Sequence, residues 1–435
     1  MVRTVEQSTM RKVYLRMLPF AILSYFLCYL DRINVGFAAL TMNKDLGLTA
    51  SMFGVAAGAF FWGYVLLEVP SNIILEKVGA RLWIARIMIS WGILSGATAF
   101  CTGPYSFMAM RFLLGLAEAG FFPGIVLFFT YWFPDRHRAR IVSGFMLALP
   151  LAVAFGAPVS TAILELNGWL GLAGWKWMFI AEGVPTALVG IVVLFYVTDR
   201  PAIARWLSDD ERAWLATTLA QERTLIETRQ KVSVWRSFWD PKVLLLSLNY
   251  LGILTASLGL VIFLPQMVKQ IGLTNMQVGW VSMIPYLCGA LAMIAWGWVS
   301  DRMGERRWNL FWACAVSTVG LVIAGLFVGT AWAVVGMAIA AAGFYGSKGP
   351  FWSMPPTLLT GTAAAAGIAW INSIGNLGGF FGPSVVGWVR DATGSFAGGL
   401  YALAAFSAMS ALVAAFWLRD SKLAPAQEGL GVPAE

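Results

Sequence analysis

Eight charged residues stand inside runs that are otherwise apolar: Asp31, Arg32, Glu68, Arg86, Arg111, Glu118, Glu182 and Lys348. A charge at bilayer depth costs about 2.5–3.5 kcal/mol on insertion scales, so such residues usually mark pathways or coupling sites. A guanidinium in a low-dielectric cavity holds an anion through a bidentate fork. A carboxylate in the same setting takes up and releases a proton. Helical geometry sorts the candidates. Tyr25, Cys28, Tyr29 and Arg32 recur at i, i+3, i+4 and i+7 and share one helix face, while Asp31 lies about 100° away. Arg111, Gly115 and Glu118 share a face of a second helix, where the glycine admits close approach of a neighbour. On this reading Arg32 binds an anion and Asp31 tunes it. The alternative makes Asp31 with Arg32, and Arg111 with Glu118, structural ion pairs; the cost of burying charge argues against that. Glu68 and Arg86 read as a gate pair or as snorkelling groups, and Glu182 as structural.

The elements that position these residues are membrane spans. Of 435 residues, 59% are hydrophobic and 12% charged, and the mean hydropathy is +0.73, far outside the range of soluble domains. A span needs about 20 apolar residues, and the chain offers twelve such runs: 15–40, 51–76, 82–102, 104–131, 139–165, 175–197, 242–270, 276–300, 307–329, 331–359, 362–389 and 397–418. The alternation of a β-barrel is absent. The first run is too long for a signal-peptide core and lacks a small-residue cleavage site, so it reads as a retained span. The charged stretch between the sixth and seventh runs divides the chain into an N-terminal bundle (1–197), a linker outside the membrane (198–241) and a C-terminal bundle (242–435). Lys and Arg concentrate in the N-terminal segment, near Lys77, Arg81, Arg136, Arg138 and Arg140, in the linker, near Arg302, Arg306 and Arg307, and at Arg419 and Lys422; the opposite loops hold Lys44, Lys176, Lys269 and Arg390. That asymmetry puts both termini in the cytoplasm. The fold class is therefore an all-α polytopic membrane protein of twelve transmembrane helices in two six-helix bundles.

Several chemistries find no support. The four cysteines, Cys28, Cys101, Cys288 and Cys314, lie in or beside apolar runs without ligand spacing, which argues against disulfides and zinc. His137, the one histidine, sits in the loop PDRHRAR as a solvated charge. No HExxH, phosphate-binding loop or nucleophile elbow occurs, and the linker is too short to fold as a catalytic domain. No enzyme, cofactor, metal site or nucleic-acid partner is expected.

The halves repeat. NIILEKVGAR (72–81) follows the second run and GWVSDRMGERR (297–307) the eighth, an offset of 225 residues that also superposes FGAP (155–158) on FFGP (380–383). Two six-span repeats joined by a cytoplasmic linker describe a secondary transporter. The loop Gly297-x-x-x-Asp301-Arg302-x-Gly304-x-Arg306-Arg307 resembles the signature of the major facilitator superfamily. Its first-half partner, with Glu76, Lys77, Gly79 and Arg81, departs from the pattern at Asn72 and Glu76. YLDRINVGFAAL (29–40), RFLLGLAEAGFFPG (111–124), YWFPDRHRAR (131–140), WKWMFIAEGVP (175–185) and the stretch from GPFWSMP to INSIGNLGGFFGP (349–383) are similar to the anion:cation symporter family, and the last stretch to its tartrate-type members. That resemblance implies Tyr29, Arg32, Tyr64, Trp352 and Asn372 as substrate contacts and Asp31, Arg111 and Glu118 in proton coupling. Without it, Tyr64 and Trp352 read equally well as core, and Asn372 and Asn376 as interhelical hydrogen-bonding groups; with it, Asn376 joins the substrate set.

The expected function is proton-coupled import of a small organic anion by a monomer working through alternating access, best matched by tartrate or a related hydroxy-dicarboxylate. A sugar-acid or aromatic-acid carrier is the near alternative. A drug/proton antiporter is weaker, because the fifth span lacks a GPxxGG-type pattern, and a ligand-sensing receptor fits two repeats poorly. Lys348, in GFYGSKGPFWSMP, is the cation that the second half offers to the far carboxylate of a dicarboxylate, or it snorkels to the cytoplasm. If it meets substrate, Lys348→Ala weakens dicarboxylate binding by about 2 kcal/mol or more and a monocarboxylate analogue less, as titration calorimetry with both ligands reads out; equal loss for both returns Lys348 to a structural part.

Overall fold

The computed structural model describes residues 4–146, 148–227, 239–355 and 362–418. Every regular element among them is helical. Before the linker come α1 (Val5–Asp45), α2 (Ala50–Val78), α3 (Ala80–Ala97), α4 (Pro104–Glu118), α5 (Phe121–Thr130), α6 (Asp135–Met146), α7 (Ala148–Leu164) and α8 (Gly174–Tyr196). The linker carries α9 (Asp209–Glu227). After it come α10 (Pro241–Lys269), α11 (Asn275–Met303), α12 (Arg307–Leu326), α13 (Ala331–Gly346), α14 (Lys348–Ser353), α15 (Thr362–Asn376), α16 (Gly378–Thr393) and α17 (Ala397–Phe416).

Ten helical segments of the described residues are long and apolar enough to cross a membrane. The expected spans 331–359 and 362–389 differ: each is a helix in two pieces, α13 with α14 and α15 with α16, and residues 356–361 between them lie outside the described residues. The first break has a chemical cause in Gly349 and Pro350, since proline is tolerated in a first turn and not in a helix interior. The second falls at Leu377, just before Gly378 and Gly379. Arg3, Arg419 and Lys422, which the orientation argument uses, also lie outside the described residues.

The two signature loops share one end of the bundle with the linker. Gly79 and Gly304, one repeat offset apart, both take positive φ, 100° and 65°, the conformation that L side chains resist. Asp199 accepts from the Arg81 backbone N–H at 2.7 Å, and Arg306 Nη1 meets Asp301 Oδ1 at 2.6 Å. Arg302 lies over Trp298, while Glu76 and Lys77 are exposed. The linker docks here too. Glu211 accepts from Lys12 Nζ (2.8 Å), Ser8 Oγ (2.7 Å) and the Ser208 N–H (2.9 Å). Burial opposes its charge, but those donors outweigh burial and hold the carboxyl at about 2.

At the opposite end the first and second halves pack backbone against backbone. Gly54 of α2 meets Pro383 of α16, and Gly387 of α16 meets Ala50. Asp391 of α16 caps the start of α2, accepting from the Ala50 and Ser51 N–H groups at 3.1 and 2.8 Å. The bundle is thus closed at the end away from the linker.

Within the first half, α4 crosses α2 at Gly115, where a Cβ would drive into the Phe60 carbonyl. Overpacking of this kind costs about 1–3 kcal/mol. Gly115→Val therefore lowers the thermal unfolding midpoint in detergent, whereas Gly297→Ala, whose Cβ meets nothing within 4 Å, leaves the midpoint unchanged or raises it.

Candidate functional site

The α1 face expected from spacing is present. Tyr25 and Tyr29 stand edge to face with centroids 4.9 Å apart, and Cys28 and Arg32 project toward α4 beside them. α4 buries Arg111, Gly115 and Glu118 on one side and ends at Glu118, because Gly120 turns the chain into the left-handed region with φ 83° before α5 begins. The interruption brings the Glu118 carboxylate to Arg32. Arg32 Nε donates to Glu118 Oε1 at 2.6 Å, its Nη2 pairs with the same oxygen, and Cys28 Sγ donates to it at 3.1 Å. Glu118 Oε2 is buried and has no hydrogen-bond partner among the described residues. Arg32 keeps 18% of its side chain exposed, against 0% for Glu118, so of the two partners only the arginine retains access to open space.

Aromatic rings frame the cation. Arg32 Cζ lies 5.4 Å from the Tyr29 ring, 5.4 Å from Phe60 and 5.1 Å from Tyr64. Arg111 Cζ stands 5.1 Å from the Phe60 ring as well, so one ring serves two guanidinium groups by its negative faces. Arg111 is fully buried, forms no ion pair among the described residues, and leaves Nε and Nη1 without acceptors.

Neither ion pair of the disfavoured alternative forms, and the gate pair needs revision. Asp31 does not touch Arg32: its carboxylate turns to α3 and accepts from Trp91 Nε1 at 2.6 Å and Ser95 Oγ at 2.7 Å. Arg111 and Glu118 share a face without pairing, because Arg32 takes the carboxylate. Glu68 and Arg86 form no gate pair. Arg86 is exposed and rests on Trp83, while Glu68 reaches across to α15, accepting from Asn372 Nδ2 at 2.6 Å and Ser373 Oγ at 3.0 Å.

The second half supplies the remaining wall. Trp352 stands edge-on to Tyr250 at 5.0 Å, and Phe351 stacks on Tyr250 at 4.8 Å. Tyr250 and Tyr345 both lie within electrostatic range of Tyr29. Lys348 Nζ lies 4.9 Å from the Tyr345 ring and forms no ion pair among the described residues. Asn376 ends α15 half-buried. Sequence reasoning missed Tyr250, Tyr345 and Ser373; a search led by charge passes over neutral side chains, and the Asn249-Tyr250 pair inside an apolar span was the available signal. A separate cavity of about 510 Å3 lies at the closed end, lined in part by Asn43, Gln266, Lys269, Gln270, Arg390 and Asp391. It contains none of the residues around Arg32, and its Lys269 is spent on the Leu273 carbonyl and Asn275.

A helical membrane bundle with a partly exposed arginine between its two halves is the build of a transporter. A sequence profile described as Major Facilitator Superfamily matches residues 21–383 and 260–431. An Agrobacterium vitis protein named "Putative tartrate transporter" is 49% identical over 431 residues, covering 99% of each chain. A "Quinolone resistance transporter" of Acinetobacter baumannii is 37% identical over 399 residues, covering 92% of each. The solved structure of a D-xylose-proton symporter matches with a TM-score of 0.75 at 16% identity, covering 93% of this chain and 97% of that one, which speaks for the fold. The chain belongs to the major facilitator superfamily. It is a multi-pass membrane transporter of the bacterial inner-membrane kind, and not an enzyme.

If the exposed edge of Arg32 holds substrate, Arg32→Lys weakens anion binding by about 1.5–3 kcal/mol, roughly ten- to a hundredfold, since an ammonium keeps the charge and loses the fork. Binding of L-tartrate to purified variants measures this, and an unchanged affinity removes Arg32 from the site.

Proposed function

We propose that this transporter imports a small organic anion together with protons, with tartrate or a related hydroxy-dicarboxylate as the substrate. It works by alternating access of 1–197 against 242–435 about the 198–241 linker, with both termini cytoplasmic, as a monomer needing no cofactor beyond the proton. The observation that carries this reading is the Arg32–Glu118 pair, in which, among the described residues, Oε1 takes every hydrogen bond and buried Oε2 takes none. A proton arriving at Oε2 neutralises Glu118 without dismantling the contacts at Oε1. Arg32 then carries an uncompensated charge toward the open space, and a substrate carboxylate replaces the lost partner. Loss of the proton restores the internal pair and expels the anion. Proton and anion thereby favour the same state of the site, which is the energetic content of coupling. Tyr29, Tyr64, Trp352, Asn372 and Asn376 complete the pocket, and the likeness to the A. vitis protein supports the tartrate assignment.

The A. baumannii relative supports a second reading, proton-driven efflux of an aromatic drug, for which the ring-lined wall offers stacking surface. Direction and substrate separate the two. In proteoliposomes, symport predicts that L-tartrate accumulates faster with an acidic exterior and that a protonophore abolishes accumulation; membrane potential adds about 2.3 kcal/mol per charge for each roughly 100 mV. Glu118→Gln keeps tartrate counterflow and loses uphill accumulation. Accumulation indifferent to pH gradient and potential ends the symport reading.

A further inference from the structure

On the side of α1 turned away from Arg32, two more carboxylates meet around one amide. Asp31 and Glu182 are 1% and 2% exposed. Asn34 Nδ2 donates to Glu182 Oε2 at 2.8 Å and reaches Asp31 Oδ1 at 3.4 Å. Glu182 Oε1 accepts from Ser160 Oγ at 2.8 Å. Asp31 has a fuller set of donors: Trp91 Nε1, Ser95 Oγ and, at 3.4 Å, Thr186 Oγ1. Asn34 Oδ1 is buried without a hydrogen-bond partner among the described residues.

No cation closes this cluster. Among the described residues neither Asp31 nor Glu182 forms a salt bridge. The surrounding helices contribute neutral groups at contact distance, Trp91 and Ser95 from α3, Ser160 from α7 and Thr186 from α8. The charged and titratable groups in electrostatic range are Arg111 and Glu118 of α4 and Cys28 of α1, and they act on Asp31; on Glu182 the titratable neighbour is Asp31 itself. Two neighbouring carboxylates in a low dielectric do not both ionise when nothing positive lies against them. Asp31 has more donors and the Arg111 field, so the charge is better placed there. Glu182 has two donors and an anion for a neighbour.

We propose that Asp31, Asn34 and Glu182 form a proton-binding site distinct from the Arg32–Glu118 pair, with the proton held on Glu182 and the charge on Asp31. Asn34 joins the two carboxyl groups, so the state of one bears on the other through a single amide. Glu182 is then a positioning residue that sets how Asp31 titrates. The part this proton plays in transport rests on the symport reading above; the protonation itself does not.

Infrared difference spectroscopy tests the assignment on the purified full chain in detergent near neutral pH, with no substrate present. Wild type minus Glu182→Gln should show the loss of one carboxylic-acid C=O band, shifted in D2O, with no loss of carboxylate stretches. Ser160→Ala keeps Glu182 and removes one of its hydrogen bonds, so the acid band should move in that variant, which serves should the Gln variant fold poorly. Loss of carboxylate stretches in Glu182→Gln, or a shift confined to the carboxylate region in Ser160→Ala, shows an ionised Glu182 and overturns the proposal. Because the readout needs neither tartrate nor flux, failure of the transport reading leaves a separate signature: an intact acid band in a protein that accumulates no tartrate.

Discussion

Burying charge among apolar helices is the constraint on which the rest of this structure depends. A carboxylate or guanidinium taken out of water is tolerated only where partners replace the lost hydration. Glu118 meets that condition at one oxygen and not at the other. Arg32 meets it through Glu118 and three ring faces. The helix break at Gly120, the close crossing at Gly115 and the tyrosines of α1 all place partners around that one pair.

Much of this was legible in the chain. The apolar runs 51–76, 104–131 and 175–197 became helical segments 50–78, 104–130 and 174–196 because a span must satisfy its own backbone bonds. The faces of α1 and α4 followed from helical spacing. The repeat offset placed a positive-φ glycine at each of the two loops, Gly79 and Gly304. What spacing does not determine is which buried face meets which. Arg111 and Glu118 lie nearly two turns apart on one face of a single helix, yet the carboxylate belongs to Arg32, 86 residues away. Glu68 looked like a peripheral gate residue and instead holds α15, 304 residues on. Those pairings depend on helix order and tilt, which one sequence encodes only through the summed packing of all its spans.

The divided helices follow the same logic. A break in a span exposes carbonyl and N–H groups that lipid cannot satisfy, so it persists only inside protein or beside a cavity. The α4–α5 break lies next to Arg32, and the α13–α14 break carries Lys348 and Trp352 toward Tyr250 and Tyr345. Irregular backbone is therefore concentrated where the chain departs from being a plain bundle.

The closed end has a property of its own. Asp391 caps α2 with hydrogen bonds from the Ala50 and Ser51 N–H groups, and that cap borders the polar-lined cavity of about 510 Å3. A helix start and a carboxylate are both groups that water solvates well. Parting them exchanges two protein bonds for hydration and strands no donor in a dry interior. Unlike the backbone crossings at Gly54 and Gly387, this part of the seal is held by contacts whose loss the solvent repairs.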